Sequence, residues 1–454
     1  MIFVKKVLVL KDLTEGNIYK NFILFSVPLA LSAVFSQIFR LLDKIIAGKF
    51  LGDLGLGATG ATSAFVAVTS ALFWGYSQGF SVYIAKKYGA KEYMKIKSAI
   101  YHSYLSVAVI TTLIGIMVVL LSDYILRMLN VDKEIFEGAK IYLCIYMGGF
   151  ALMILNVKFV HTLNALGSSS YPFFVSSFAA FLNVVGNIFC VTVLKWGVAG
   201  IAIATLFSAL VANILYLIKI RKCFIEFNVL NEKTEWNFKK FAKILHYSLP
   251  TAFQQLIMSG ATFLISPVIN GLGSDASASW AVILSIYEIS ACIYTDASRT
   301  VSSYTAQSIG AKKYQNIKKG VKVGFIQGFV FLSVPLVFSI VFAKDICSLF
   351  FPKGYTGMAL TYSIIFVRFF LPINAFNVVN NLFHSFYRGC ALMRFLVILT
   401  FVGAFSRVVF TYIFAYLYGM YGVYTGWALS WVCEAIVALV IYFSEIWEKN
   451  VYAN

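Results

Sequence analysis

Apolar runs of about 20 residues or more, separated by short polar segments, recur along almost the whole chain of 454 residues. A helix needs about 20 residues to cross the hydrocarbon core of a bilayer, where every backbone N–H and C=O must find its partner within the protein. The composition agrees, since 60% of the residues are hydrophobic and 12% are charged. We therefore predict an all-α integral membrane protein.

Twelve of these runs have the length of a membrane span. They fall in two sets of six, at 21–50, 54–85, 98–122, 134–157, 170–193 and 198–220, and at 242–272, 276–305, 319–343, 358–388, 392–417 and 422–445. The polar segment "KIRKCFIEFNVLNEKTEWNFKKFAK" lies between the sets. We predict an amino-terminal six-helix lobe over 1–220, a cytoplasmic linker over 221–241 and a carboxy-terminal six-helix lobe over 242–454.

The two sets also resemble one another. The segments "VPLALSAVFSQIFRLLDKIIAGKFLGD" (27–53) and "LPTAFQQLIMSGATFLISPVINGLGSD" (249–275) have equal length, share a Pro and end in Asp. The segments "SVYIAKKYGAK" (81–91) and "SSYTAQSIGAK" (302–312) share their final Gly-Ala-Lys at nearly the same spacing. Six helices per half is an even number, so the halves form parallel repeats, a plan that places the substrate site of transporters at the interface between repeats.

Lys and Arg are concentrated in alternate loops. The amino-terminal tail, the segments 86–97 and 311–322 and the central linker carry most of them, which places these loops and both termini in the cytoplasm of an inner (plasma) membrane protein. The same distribution explains the net charge of +18 without nucleic acid, because the chain offers no large polar domain that would bind it.

The sequence contains none of the motifs that carry phosphate or metal chemistry. There is no G-x-x-x-x-G-K-[ST] and no H-E-x-x-H, and the four His and seven Cys are scattered singly. These absences argue against ATP-driven transport within the chain, a resident metal or cofactor, and an enzyme. An intramembrane enzyme stays an alternative, because its Ser or Asp pair can lie on separate helices.

The first predicted span contains an acid. Ser36, Arg40, Asp43 and Ala47 follow i, i+4, i+7, i+11 spacing, which places them on one stripe of a helix that must face protein or water. An acid within a span is costly and marks a functional site by default. The alternative is an ion pair of Asp43 with Arg40 or Lys44.

Further polar residues lie on the fifth and sixth predicted spans. Asn183 and Asn187 are one turn apart on the fifth, and Thr205 follows the small residues of "GVAGIAIAT" on the sixth, which permit close helix packing. Hydrogen bonds between helices are the structural alternative for each of them.

Five segments together carry a family resemblance. "KDLTEGNI", "FSVPLALSAVFSQIFRLLDKIIAGKFLG", "GFSVYIAKKYGAK", "LNVVGN…WGVAGIAIAT" and "YSLP…SSYTAQSIGAKK", in this order, resemble the multidrug and toxic compound extrusion (MATE) family of the multidrug/oligosaccharidyl-lipid/polysaccharide exporter superfamily. The resemblance implies a monomeric antiporter in the lipid bilayer that exports organic cations or amphiphilic drugs by alternating access between two lobes. It also implies H⁺ or Na⁺ as coupling ion and no other cofactor or metal.

The family's amino-lobe cation site implies specific residues here. It uses an Asp on the first helix, an Asn and an Asp one turn apart on the fifth and a Thr on the sixth, and these match Asp43, Asn183, Asn187 and Thr205. This chain departs from the family at Asn187, which replaces the second acid. Because one carboxylate suffices for a proton, we favour proton over sodium coupling.

The carboxy lobe departs from the family as well. Where several members carry acids on the seventh and tenth helices, this chain has amides: Gln254 and Gln255 on the seventh, and Asn374, Asn377 and Asn381 on the tenth. The candidate polar site of this lobe therefore comprises Gln255, Glu288, Asp296, Arg299, Asn377 and Glu434. The structural alternatives are an Asp296–Arg299 pair that locks packing and a bond between Glu434 and Arg407.

Two other functions remain open at this stage. A lipid-linked saccharide flippase of the same superfamily would need several cations to converge on one cavity, for which the sequence offers Arg40, Lys44, Arg299, Arg368 and Arg407. A receptor or channel would not require a duplicated body.

The charge asymmetry predicts which loops are reached from outside the cell. In a cysteine-free variant, a single cysteine at Lys91 or Lys313 should resist impermeant thiol reagents in intact cells, whereas one at Asp275 should react. Labelling at Lys91 from outside would reverse the orientation.

Overall fold

The computed structural model describes residues 10–452 and leaves aside the side chains of Lys44, Asp53, Leu56, Ala64 and Tyr452. All regular secondary structure in this part of the chain is helical. In chain order the helices are α1 (Ile18–Gly52), α2 (53–89), α3 (Tyr93–Leu120), α4 (Ser122–Met128), α5 (Lys133–Gly148), α6 (Phe150–Ala165), α7 (Ser170–Val193), α8 (Gly197–Glu226), α9 (Phe238–Gly271), α10 (Ser274–Gly310), α11 (Gln315–Val341), α12 (Ala343–Ser348), α13 (Met358–Gly389), α14 (393–418), α15 (420–443) and α16 (Ile446–Tyr452).

Glycines in the left-handed region separate helices at matching places of the two repeats. Gly52 (φ 66°) divides α1 from α2, and Gly273 (φ 102°) precedes α10 at the equivalent position of the second repeat. Gly197 (φ 57°) and Gly419 (φ 58°) form a second such pair. Only glycine adopts these angles without a steric cost, so the repeat seen in the sequence extends to the backbone of its turns.

The membrane spans follow from length and hydropathy. Nine of the described helices are long and apolar enough to cross a bilayer, and ten if α5 and α6, bent by 52° at Gly149, count as one span. The Gly-, Ser- and Thr-rich α2 falls outside this count, and α14 and α15 are counted together. Each of the twelve predicted spans nevertheless coincides with a described helix or with the bent pair.

The chain forms two compact units. One contains Leu31–Ala252 with the described residues up to Asp12, and the other contains Leu13–Ala30 with Phe253–Asn454. The start of α1 belongs to the second unit because its side chains enter that core, where the Phe22 ring contacts the Tyr304 ring at 5.1 Å. The predicted boundaries, which follow the repeat and the polar linker, stay a prediction.

Glycine allows two helices to pack closely in the core of the first unit. A Cβ added to Gly115 of α3 would lie 2.3 Å from the carbonyl oxygen of Met147 on α5. This contact is with backbone, which has little freedom to move away, so the two helices approach as closely as they do because the side chain is absent.

We expect Gly115→Ala to destabilise the protein by about 1 to 3 kcal/mol, the usual cost of overpacking a core. The matched control is Gly148→Ala, since a Cβ there meets nothing within 4 Å. Thermal unfolding of both variants in detergent, followed by size-exclusion chromatography, measures the difference. Equal unfolding temperatures would contradict the close packing of α3 on α5.

Candidate functional site

The four residues expected at the amino-terminal cation site lie in one hydrogen-bonded line. The Asn187 side-chain amide donates to Asp43 Oδ1 at 2.7 Å and to Asn183 Oδ1 at 3.3 Å. Asn183 in turn donates to Thr205 Oγ1 at 3.1 Å, and the Thr205 hydroxyl donates to the Ile201 carbonyl at 2.9 Å. Three helices, α1, α7 and α8, thereby meet at one polar cluster within the first unit.

Small residues bring these helices together. A Cβ on Gly186 of α7 would lie 3.1 Å from Ala204 Cβ of α8, and one on Gly200 would lie 2.8 Å from Cys190 Cβ. The small residues on α8 therefore allow the close approach to α7 that places Asn183 beside Thr205. On the α1 side, Ala47 packs with Val191 and Ile201 in an apolar cluster one turn beyond Asp43.

The line has an unused acceptor at its centre. Asn187 is fully buried, and its Oδ1 has no hydrogen-bond partner in the described part of the chain. A buried polar oxygen without a partner costs free energy. The cluster therefore holds one ionisable group, Asp43, and beside it an acceptor that another hydrogen or a cation can use.

The polar stripe of α1 is only partly in the site. Ser36 is exposed and donates to the Ser32 carbonyl of its own helix at 2.7 Å. Arg40 is also exposed, and the described side chains include no Arg40–Asp43 ion pair. Asp43 is oriented by an amide from another helix, whereas the Lys44 side chain lies outside the described atoms.

The candidate residues of the second unit do not form one site. Asp296 and Arg299 make the predicted ion pair at 2.7 Å, and Glu288 is exposed. Asn377 is buried and donates to the hydroxyls of Tyr287 and Tyr294, each at 2.8 Å. Gln255 is half-buried on α9. Asn377 is therefore hydrogen-bonded to tyrosines and not to Glu288 or Asp296.

The described contacts of Glu434 do not include the bond with Arg407 that was considered as a structural alternative. The buried Glu434 carboxylate instead contacts the imidazole of His384 on α13. A Cβ on Gly403 of α14 would lie 2.4 Å from Glu434 Oε2, so this carboxylate packs against α14 at Gly403. Arg407 lies one helical turn, about 5.4 Å, further along α14. The Arg407 guanidinium lies 6.0 Å from the centre of the Trp427 ring.

Four of the five cations considered for a flippase have described side chains, and their surroundings differ. Arg299 is ion-paired, Arg407 packs on Trp427, and Arg40 and Arg368 are exposed. These surroundings leave the flippase without a specific observation in its favour.

A buried lysine escaped the sequence interpretation. Lys158 on α6 is fully buried, donates to Ser103 Oγ and lies 3.7 Å from the centre of the Phe80 ring, with Tyr76 and Tyr104 at 4.7 and 5.1 Å. The predicted span ends at 157 because a lysine normally marks a membrane boundary. Tyr76 and Phe80, four residues apart on α2, were the available sequence signal for a cation–π site.

Comparison with known proteins places this structure in context. The MatE family model matches residues 28–189 and 250–413. Probable multidrug resistance protein YpnP of Bacillus subtilis is 24% identical over 442 residues, covering 96% of this chain and 97% of its own. Multidrug export protein MepA of Staphylococcus haemolyticus is 22% identical, with 94% of each chain covered.

Solved structures agree on the fold. An outward-facing multidrug resistance MATE family transporter superimposes with a TM-score of 0.87 at 20% identity, covering 97% of both chains. A transporter of the same superfamily from Pyrococcus furiosus gives 0.87 at 21% identity, with 97% and 98% covered. Because the family model matches both halves of the chain, this protein belongs to the MatE family and is a multi-pass integral membrane transporter, not an enzyme.

Proposed function

We propose that this protein is a proton-coupled antiporter that exports organic cations and amphiphilic drugs by alternating access. The observation that carries the proposal is the hydrogen-bonded line from Asp43 through Asn187 and Asn183 to Thr205. Relatives named for multidrug resistance and export support the substrate class. We further propose a monomer in the plasma membrane with both termini in the cytoplasm.

The line offers a way for proton binding to change contacts between helices. With Asp43 ionised, the bond from Asn187 is charge-assisted and holds α1 against α7. Such bonds are roughly twice as strong as neutral ones, so a proton on Asp43 weakens this link without removing it. Binding of a proton would thereby favour a different arrangement of α1, which is what coupling requires.

The geometry favours a proton over sodium. Hard cations are bound by carboxylate, carbonyl and water oxygens, but here an amide N–H of Asn187 points at the Asp43 carboxylate. A sodium ion would require that amide to turn so that its oxygen faces the ion. A proton needs no such cage.

Asp43→Asn should abolish proton-driven efflux while leaving membrane insertion intact, because the change removes the ionisable group but keeps its size. The matched control, Glu288→Gln, alters an exposed acid and should retain transport. Both are measured as drug movement in proteoliposomes with an imposed pH gradient. Continued uphill transport by the Asp43 variant would make Asp43 structural.

Asn187→Asp should move the pH optimum of efflux upward. The new carboxylate would lie against Asp43, and repulsion between the two favours retention of one proton at higher pH. Efflux by the parent should also persist when choline replaces sodium at fixed pH. An unchanged pH profile, or loss of parent efflux in choline, would exclude the proton mechanism.

A further inference from the structure

A second polar cluster, built of four buried side chains, lies in the unit that contains Phe253–Asn454. Arg388 and His384 are one turn apart on α13, Gln254 lies on α9 and Glu434 on α15. Their exposed fractions are 6%, 7%, 5% and 2% respectively. Arg388 Nη2 donates to Gln254 Oε1 at 2.9 Å, Gln254 Nε2 contacts His384 Nδ1, and His384 Nε2 contacts Glu434 Oε1.

The chemistry of these groups fixes the direction of every hydrogen bond. Arginine only donates, so the Gln254 atom that faces it must be the oxygen, and the Gln254 atom that faces His384 is then the NH₂ group. That group donates, so His384 Nδ1 must accept and carries no hydrogen. The imidazole is therefore neutral, with its hydrogen on Nε2 donated to Glu434.

We propose that Glu434 and His384 form a second proton-binding site, separate from Asp43, with Arg388 and Gln254 as positioning residues that fix the imidazole tautomer. An arriving proton cannot use His384 Nδ1, because two donors would then face each other across the contact with Gln254. It adds instead to Glu434 Oε2, forming an O–H bond and neutralising the carboxylate. The part played by this site in transport rests on the proposed antiport, whereas proton binding itself does not.

Gly403 on α14 lies against the oxygen that takes up the proton. Glu434 Oε2 lies so close to Gly403 that a Cβ there would approach within 2.4 Å. Any side chain at this position would therefore displace the carboxylate oxygen that takes up the proton. Because Gly403 has no side chain, Glu434 Oε2 can lie between α14 and α15.

The charge balance is consistent with reversible proton uptake. With His384 neutral, Arg388 and Glu434 carry opposite charges in one buried cluster, which is how buried charges are tolerated. Uptake of one proton leaves a net charge of +1.

The charged groups on neighbouring helices set how readily that proton binds. Arg299 of α10 acts electrostatically on Arg388 and is paired with Asp296, while Arg407 of α14 lies one turn from Gly403. On α11, Lys318 and Lys322 are exposed, and Lys318 is bound to Glu445 and Glu448.

Nitrogen-15 NMR of histidine tests the hydrogen-bond directions in the parent protein. The chain has four histidines, and a His384→Gln variant assigns the signals of His384. We expect a pyridine-like Nδ1 and a pyrrole-like Nε2, and a mixture of both tautomers in Arg388→Met, which removes the group that orients Gln254. The opposite tautomer in the parent, or an imidazolium at neutral pH, would overturn the assignment.

Acid-induced infrared difference spectroscopy of purified protein tests proton binding. The parent should show a protonated-carboxyl band that Glu434→Gln lacks and that both Asp43→Asn and Glu288→Gln retain. Gly403→Ala, which crowds Oε2, should shift this band. Identical spectra for the parent and Glu434→Gln would refute the site. If Asp43→Asn transports normally while the Glu434 band persists, the proposed role of Asp43 fails and this site stands.

Discussion

The need to satisfy every polar group inside the protein governs both polar clusters of this transporter. Within a bilayer no water replaces a missing partner, so each donor must face an acceptor. Gln254 meets this need with one amide group that accepts from Arg388 and donates to His384. Asn187 instead donates to both of its neighbours, and its oxygen has no partner among the described residues. An amide between two groups therefore links the directions of their hydrogen bonds. If one neighbour donates to the amide oxygen, the other neighbour must accept from the amide nitrogen.

The two clusters use this property differently. In the first unit a line of amides and a hydroxyl ends at one ionisable group, Asp43. In the second unit a permanent cation, Arg388, stands at one end and Glu434 at the other. Among the described side chains, Asp43 has no ion-pair partner in the first arrangement, whereas in the second Arg388 balances the charge of Glu434 within one cluster. The same fold thus holds two acids in opposite electrostatic settings.

The sequence predicted much of the fold and one cluster, and the reasons are physical. Helical periodicity places Asp43 on a stripe and Asn183 one turn from Asn187, and the family resemblance joins them. The sequence offered Arg407 only as an alternative partner of Glu434 and did not identify His384, because contacts between distant helices depend on the depth of each helix in the bundle, which hydropathy does not determine. Lys158 escaped the sequence analysis because nothing next to it in the sequence reveals three aromatic rings from other helices.

The paired left-handed glycines have a consequence for how the two halves diverge. Gly52 and Gly273, like Gly197 and Gly419, hold equivalent turns in backbone conformations that other residues adopt only with strain. Substitution there is penalised in each half alike, whereas helix faces between the turns tolerate any side chains that pack and pair. The duplicated frame therefore keeps the same joints in both halves, while its two units carry different ionisable groups, Asp43 in one and Glu434 in the other.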